Sequence, residues 1–536
     1  MRYLQSLMPL FVSTACFAQF PSQIKNVVII FQENRTPDNL FHFLTPACPL
    51  AQTADPLQAC TPAQVTSSCY DISPCGISNQ SGTPVAVTLK PVALSGSVDP
   101  DHSHTGFENM CDPDPVTLAC RNDGAWKTSS PAGSSYGFVQ NYPVTNSDGS
   151  TGGRLDPYFI LAKRYGWANA MYQTNQGPSY PAHQFMFSGT SAPLAIADQL
   201  SIFVSENFNS QVIGNKAGCL APVGSTNDLL LPAPGGQALP GCKLFTGNSV
   251  QECPVTNNLL SYPDNPVGAF CYDHQSMADV LDPHAISWTY YAPSAGSIWT
   301  APDSIRSICQ PAYVNPSADP TSALQCTGKE WNANVDVANL GTDVLRDISK
   351  CDLSNVNWVI PNGAWSDHAG PNDLYGPSWV ASVINAIGNN PTCGAGTKDA
   401  GQAYWQNTAI IVTWDDWGGW SDHRPAPLAS KLPCTSFECQ GDYQLGFRVP
   451  LLVVSAYTPA GYINNVPHDF GSVLRMVEGI NHLPEGQLGF ADRRATTDLS
   501  DFFSLTEPRT FQTIPSEKDA NFFLTYKGAA VDPDDD

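Results

Sequence analysis

The chain has 536 residues, 42% of them hydrophobic and 10% aromatic, which is enough apolar material for a substantial core and excludes wholesale disorder. Its formal net charge is -23, from 25 Lys and Arg against 48 Asp and Glu. A surface without a basic stripe cannot displace phosphate counterions, which excludes nucleic acid and anionic membranes as partners; an anionic substrate then needs a local positive centre such as a bound metal ion.

Taken in order, residues 1–18 read as a signal peptide: Arg2 precedes an apolar run over 7–17, and cleavage after Ala18 leaves a secreted or periplasmic protein. The stretch over 13–16 also resembles a lipoprotein box, which gives anchoring through a lipid on Cys16 as the alternative. No later stretch reaches the roughly 18 apolar residues of a transmembrane helix. Seventeen cysteines are present, and sixteen follow Cys16. They include no CxxC pair or zinc-finger spacing, so up to eight disulfides in an oxidising compartment is the reading, with Cys434 and Cys439 placed to close a small loop. The remainder divides into a single domain over 19–515, with Cys- and Pro-rich insertions near 44–98 and 205–270, and a C-terminal tail over 516–536.

Within that domain, near-continuous apolar runs at 27–31, 286–291, 358–360, 409–414 and 449–454 predict strands covered on both faces. Helical patterns lie between them at 157–165, 377–387 and 470–479. Strands alternating with helices predict an α/β fold, a three-layer sandwich around a mostly parallel central sheet, with disulfide-stapled loop insertions.

Ligands of such sheets gather at the carboxyl ends of strands. The first predicted strand is followed by Glu33 and Asn34, and the 409–414 strand by Asp415 and Asp416. Each pair alone is ordinary turn or cap chemistry. Together they offer three carboxylates and an amide, a donor set that suits a hard divalent cation, with calcium, magnesium or manganese favoured. A Gly177-Pro178-Ser179 turn exposes a hydroxyl ahead of a helix, although taken alone Ser179 reads as a helix N-cap. His102, His368 and His423 sit in polar loops, each directly after an aspartate.

These landmarks resemble, in the same order, the bacterial phospholipase C and acid phosphatase family of phosphoesterases, within the alkaline-phosphatase-like superfamily. The resemblance rests on residues 25–35, 99–102, 177–179 and 365–368, on Asp415-Asp416 with Asp422-His423, and on 446–450 through to His468. It implies an alkaline-phosphatase-like fold. It implies that Glu33, Asn34, Asp415 and Asp416 hold a catalytic metal and that Ser179 is the nucleophile. His102, His368 and His423 are implied to contact the phosphoryl oxygens or the leaving group. His104, His274 and His284 receive no role, and His468 acts at most through other residues. Serine at the nucleophile position and Asp-Asp followed by Gly-Trp resemble the acid phosphatase branch, where the phospholipase branch commonly has threonine and Asp-Glu. The expectation is a secreted metal-dependent acid phosphatase working through a phosphoserine. The alternatives are a phospholipase C that cleaves a lipid head group, and a non-catalytic binding protein on the same scaffold.

Overall fold

The structure is a computed structural model that describes residues 20–115, 119–128, 133–192, 203–204, 216–221, 226–232, 238–245, 271–313, 324–370, 372–427 and 444–531. The expected signal peptide, Cys16, the Cys434–Cys439 loop and most of the 205–270 insertion lie outside these residues.

The first apolar run forms β1 (Asn26–Gln32), buried at every position because Val and Ile on both faces leave no side to turn to water. It lies at the centre of an eight-stranded sheet. The other strands are β2 (Gly166–Ala168), β3 (Trp288–Tyr291), β4 (Val335–Asp336), β5 (Val356–Val359), β6 (Thr408–Trp414), β7 (Leu451–Ser455) and β8 (Tyr462–Asn464), and the order across the sheet is β4-β3-β5-β1-β6-β7-β2-β8. All neighbours run parallel except β7, which opposes both β6 and β2.

Side-chain alternation splits the sheet into two faces. Phe31 packs on Phe470 at 5.4 Å, and Trp358 and Tyr290 pack on Phe187 at 5.0 and 5.4 Å, so one face carries α2 (Ser179–Ser188) and α4 (Phe470–Ile480). Trp414, one residue on from Thr413, points the other way and meets Tyr158 of α1 (Asp156–Arg164) at 5.2 Å. Helix α3 (Gly376–Asn389) packs against α1 on that side. The three layers follow. Among the described residues, no helix is long and apolar enough to cross a membrane.

Six disulfides join described residues, and two of them, Cys48–Cys69 and Cys60–Cys75, staple the first insertion. The expected C-terminal tail differs. Residues 516–531 fold onto the domain through a helix at Ala520–Thr525, whose Phe523 is buried against Trp379 at 5.1 Å and Trp365 at 5.4 Å. Apolar Phe522, Phe523 and Leu524 outweigh the local charge, and only 532–536 fall outside the described residues.

Candidate active site

Strands β5, β1 and β6 are adjacent and parallel, and Gln32 pairs with Trp414, so the residues that follow both strands emerge at one edge. Glu33 and Asn34 leave β1 there beside Asp415 and Asp416 from β6. Asn34 takes a left-handed backbone (φ 56), and its N–H donates to Asp415 Oδ1 at 2.9 Å. Beyond Asp416, Gly418 and Gly419 also have positive φ and lie so close to their neighbours that a Cβ would come within 2.3 Å of the Asn34 carbonyl oxygen and 2.6 Å of that of Pro100. The Gly-Gly pair is what lets the loop close over β1.

Ser179 is the first residue of α2. Its Oγ lies 3.2 Å from Asp416 Oδ2, 3.3 Å from Glu33 Oε2 and 3.4 Å from Asn34 Oδ1. The five residues expected to form the nucleophile and the metal cluster therefore converge on one buried spot. A helical turn on from Ser179, His183 Nε2 stands 3.1 Å from Glu33 Oε1. Sequence reasoning assigned His183 no role, yet the i, i+4 spacing from the serine on a helix would have placed both on one face.

His102, expected to contact the phosphoryl oxygens or the leaving group, instead has both ring nitrogens engaged, and it and Asn34 fix each other. His102 Nδ1 lies 3.0 Å from the Pro100 carbonyl, so that nitrogen is the donor, and Nε2 lies 2.8 Å from the Asn34 amide. A neutral ring accepts there from Nδ2–H, which turns Asn34 Oδ1 toward the carboxylates. The reversed amide would instead donate to Glu33 and Asp415 at 3.2 Å, and it requires a doubly protonated His102. His368 lies beside His102, with ring centroids 5.5 Å apart; its Nδ1 is held by the Ala369 carbonyl at 2.5 Å, and Asp99 Oδ2 lies 3.9 Å away. No hydrogen bond engages His368 Nε2 among the described residues.

Electrostatically the cluster is unbalanced. Burial, then the charges of Asp415 and Asp416, push the Glu33 carboxyl well above the usual range. Burial and Asp415 do the same to Asp416. Asp415 Oδ2 is buried without a hydrogen-bond partner, and among the described residues no Lys or Arg comes within 4 Å of these three carboxylates. An amide oxygen turned toward carboxylates, an orphaned carboxylate oxygen and excess negative charge fit a divalent cation. Glu33, Asp415 and His183 present ligand atoms within 4.8 Å of one another.

His423 needs correction. Its Nδ1 lies 2.8 Å from Asp38 and its Nε2 3.1 Å from Asp71, both buried. With both ring nitrogens committed to carboxylates, no N–H remains for a phosphoryl oxygen or a leaving group. Arg448 completes this separate network, reaching Asp422 at 2.9 Å, Asp71 at 3.2 Å and Asp38 at 3.3 Å. Of the unassigned histidines, His104 Nδ1 is bound to the Gln176 carbonyl at 2.5 Å and His274 Nδ1 to that of Ala192 at 2.6 Å, while His284 is exposed. His468 Nδ1 meets Thr497 Oγ1 at 2.6 Å and has no contact with the cluster among those described.

A parallel-stranded α/β sandwich that gathers carboxylates, an amide and a hydroxyl at adjacent strand ends can hold a cation beside a nucleophile. Residues 24–484 match the Phosphoesterase family, and the chain belongs to that family. Its relatives include the non-hemolytic phospholipase C of Pseudomonas aeruginosa, 26% identical over 301 residues, which are 50% of this chain and 40% of that protein. The non-hemolytic phospholipase C of Burkholderia pseudomallei is 27% identical over 39% of this chain and 32% of its own length. Phospholipase C A of Mycobacterium tuberculosis is 24% identical over 43% of this chain and 44% of its own. The matched stretches thus span less than half the length of each of these relatives. Among solved structures, a Vibrio parahaemolyticus protein in the alkaline phosphatase superfamily covers 62% of each chain at 11% identity, with a TM-score of 0.28.

Proposed function

We propose that this chain hydrolyses phosphomonoesters by double displacement, with Ser179 as the nucleophile and one divalent cation held by Glu33, Asn34, Asp415 and Asp416. The observation that carries this reading is the position of Ser179 Oγ, between 3.2 and 3.4 Å from Asp416, Glu33 and Asn34. When bound, the cation supplies Lewis acidity that favours the serine alkoxide and offsets phosphoryl charge.

In this reading the nearest of the three acceptors around Ser179 Oγ, Asp416 Oδ2 at 3.2 Å, takes up the hydroxyl proton as the oxygen attacks phosphorus in line and a phosphoserine forms, and returns it to Ser179 when the phosphoserine is cleaved. The N-terminus of α2 points its backbone N–H groups and dipole at the anionic group. His368 carries its mobile proton at Nε2, since Nδ1 is fixed by the Ala369 carbonyl. That Nε2–H protonates the departing alkoxide, and the same nitrogen then takes the proton of the water that cleaves the phosphoserine. His102 holds Asn34 in place. The disulfides support an oxidising compartment, in keeping with export led by residues 1–18.

A second reading is phosphodiester cleavage, favoured by relatives that carry the name phospholipase C. Turnover of p-nitrophenyl phosphate against p-nitrophenylphosphorylcholine, with and without chelator, separates the two. The expected result is a faster phosphomonoester reaction that chelator and Ser179→Ala both abolish. Near wild-type turnover in a folded Ser179→Ala protein rules out the nucleophile assignment, and a faster diester reaction favours the second reading.

A further inference from the structure

The hydrogen-bond chain behind His183 fixes which of its nitrogens carries a proton. Tyr290 Oη donates to the Trp299 carbonyl at 2.8 Å, since a carbonyl can only accept. Its single proton is thereby spent, and the Ala301 N–H lies 3.4 Å from the same oxygen. His183 Nδ1, 3.3 Å from that oxygen, has to be the donor. In a neutral ring Nε2 then keeps its lone pair, and it faces Glu33 Oε1 at 3.1 Å with Asp415 close by. Phe31, edge-on at 4.7 Å, and Trp299, stacked at 6.4 Å, hold the buried ring in this orientation.

Two lone pairs facing each other across 3.1 Å repel unless a proton or a metal ion lies between them, and Asp415, whose Oδ2 is buried without a hydrogen-bond partner, adds a third ligand atom within 4.8 Å of both. A metal-bound histidine in general passes its other N–H to an oxygen acceptor, which fixes the tautomer and aims the free nitrogen. Tyr290 is placed to do this for His183. We propose that His183 Nε2 is a direct ligand of the active-site cation, adding one nitrogen to the oxygen donors of Glu33, Asn34, Asp415 and Asp416. The inference rests on the cation site described above and deepens it. It also changes the chemical class of the ion: an imidazole donor shifts preference away from calcium and magnesium toward iron, nickel, copper or zinc. Tyr290 acts as a positioning residue.

The test uses the full-length protein stripped of metal and titrated with manganese(II), with binding and stoichiometry read by electron paramagnetic resonance. Coordinated nitrogen is read by pulsed measurement of nitrogen-14 modulation. Expected is one tightly bound manganese per chain with a directly coordinated nitrogen, a signal lost in His183→Gln and kept in His102→Gln. Calcium should compete for the wild-type site at least about tenfold less well than for the His183→Gln site, because oxygen-only ligation removes the preference. Bound manganese without coordinated nitrogen, or a nitrogen signal that survives His183→Gln, overturns the assignment while leaving the oxygen cluster intact. No manganese binding to the wild type overturns the cation site itself, and this ligand with it. If His183→Gln does not fold, Tyr290→Phe decides. Manganese affinity should fall by about 10- to 100-fold with the nitrogen signal retained, and an unchanged affinity counts against the assignment.

Discussion

His423 provides a quantitative test of the buried ion-pair network. Burial alone would lower its pKa, but the charge of Asp38 and hydrogen bonds to Asp38 and Asp71 raise it to about 9. The native state therefore keeps a proton that the unfolded chain releases near pH 6.5. That stabilisation is fully present below about pH 6.5 and disappears as pH rises through about 9. At about 1.4 kcal/mol per pH unit the linkage amounts to about 3 kcal/mol. Other buried groups titrate lower: Asp367 and Asp469 at about 6, Glu478 at about 7, His183 and His274 at about 4. Glu33, Asp416 and Asp303 are raised well above the ordinary carboxyl range, so the contribution of His423 is read as the difference between wild type and His423→Gln. Urea unfolding of wild type and His423→Gln, with disulfides intact and cation saturating, should give a stability difference about 3 kcal/mol larger at pH 6.5 than at pH 9.5. A difference that stays constant across that range would falsify the charged state assigned to His423.

Arg448→Met strips three buried carboxylates of their main counter-charge and should cost about 3–5 kcal/mol in urea unfolding; a loss under about 1 kcal/mol means that water already reaches the network. Gly418→Ala drives a Cβ against the Asn34 carbonyl and should lower kcat by about 10²-fold, as misplacement on the ångström scale does. Gly82→Ala, where φ is +77 and nothing lies within 4 Å, is the control and should leave turnover unchanged. Because Glu33 and Asp416 are raised well above their ordinary range, cation-free protein should lose stability as pH rises from about 4.5. Cation-loaded protein should not, so the gap between their melting temperatures widens toward neutral pH, and a pH-independent gap refutes the clustering.

The sheet could be read from the sequence wherever burial on both faces demanded a long Val/Ile run, as in β1 and β6. The short strands β2, β4 and β8 lack that signal: Gly166–Ala168 and Val335–Asp336 are extended because longer neighbours offer an edge. The antiparallel direction of β7 was equally hidden, since strand direction leaves no trace in residue choice. Oxygen-bearing side chains directly after strands marked Glu33, Asn34, Asp415 and Asp416 as candidates, and a Gly-Pro turn marked Ser179. Local reading misled at His423, whose Asp-His flank matches that of His102 and His368. What decides its role is Asp38 and Asp71, 385 and 352 residues away in the chain. His183 was missed for the opposite reason, because its apolar helix surroundings give no local hint of polar chemistry.

The two buried clusters differ in whether their own side chains balance the charge of their carboxylates. Asp38, Asp71 and Asp422 face Arg448, Arg424 and a protonated His423, three negative charges against three positive, so the second cluster closes on itself. Glu33, Asp415 and Asp416 have comparable burial and a comparable number of carboxylates, but among the described residues the groups beside them are imidazoles, the Ser179 hydroxyl, the Asn34 amides and the Gly418 N–H, with no Lys or Arg within 4 Å. The difference is a cationic side chain. Where Arg448 supplies fixed charge, the result is a brace tying the Asp422 loop to the first insertion. Where no such residue is present, the deficit falls in the proposed function to an exchangeable cation, which would also have room to meet a phosphate oxygen. A permanent arginine in the first cluster would satisfy the same carboxylates and leave Ser179 without activation.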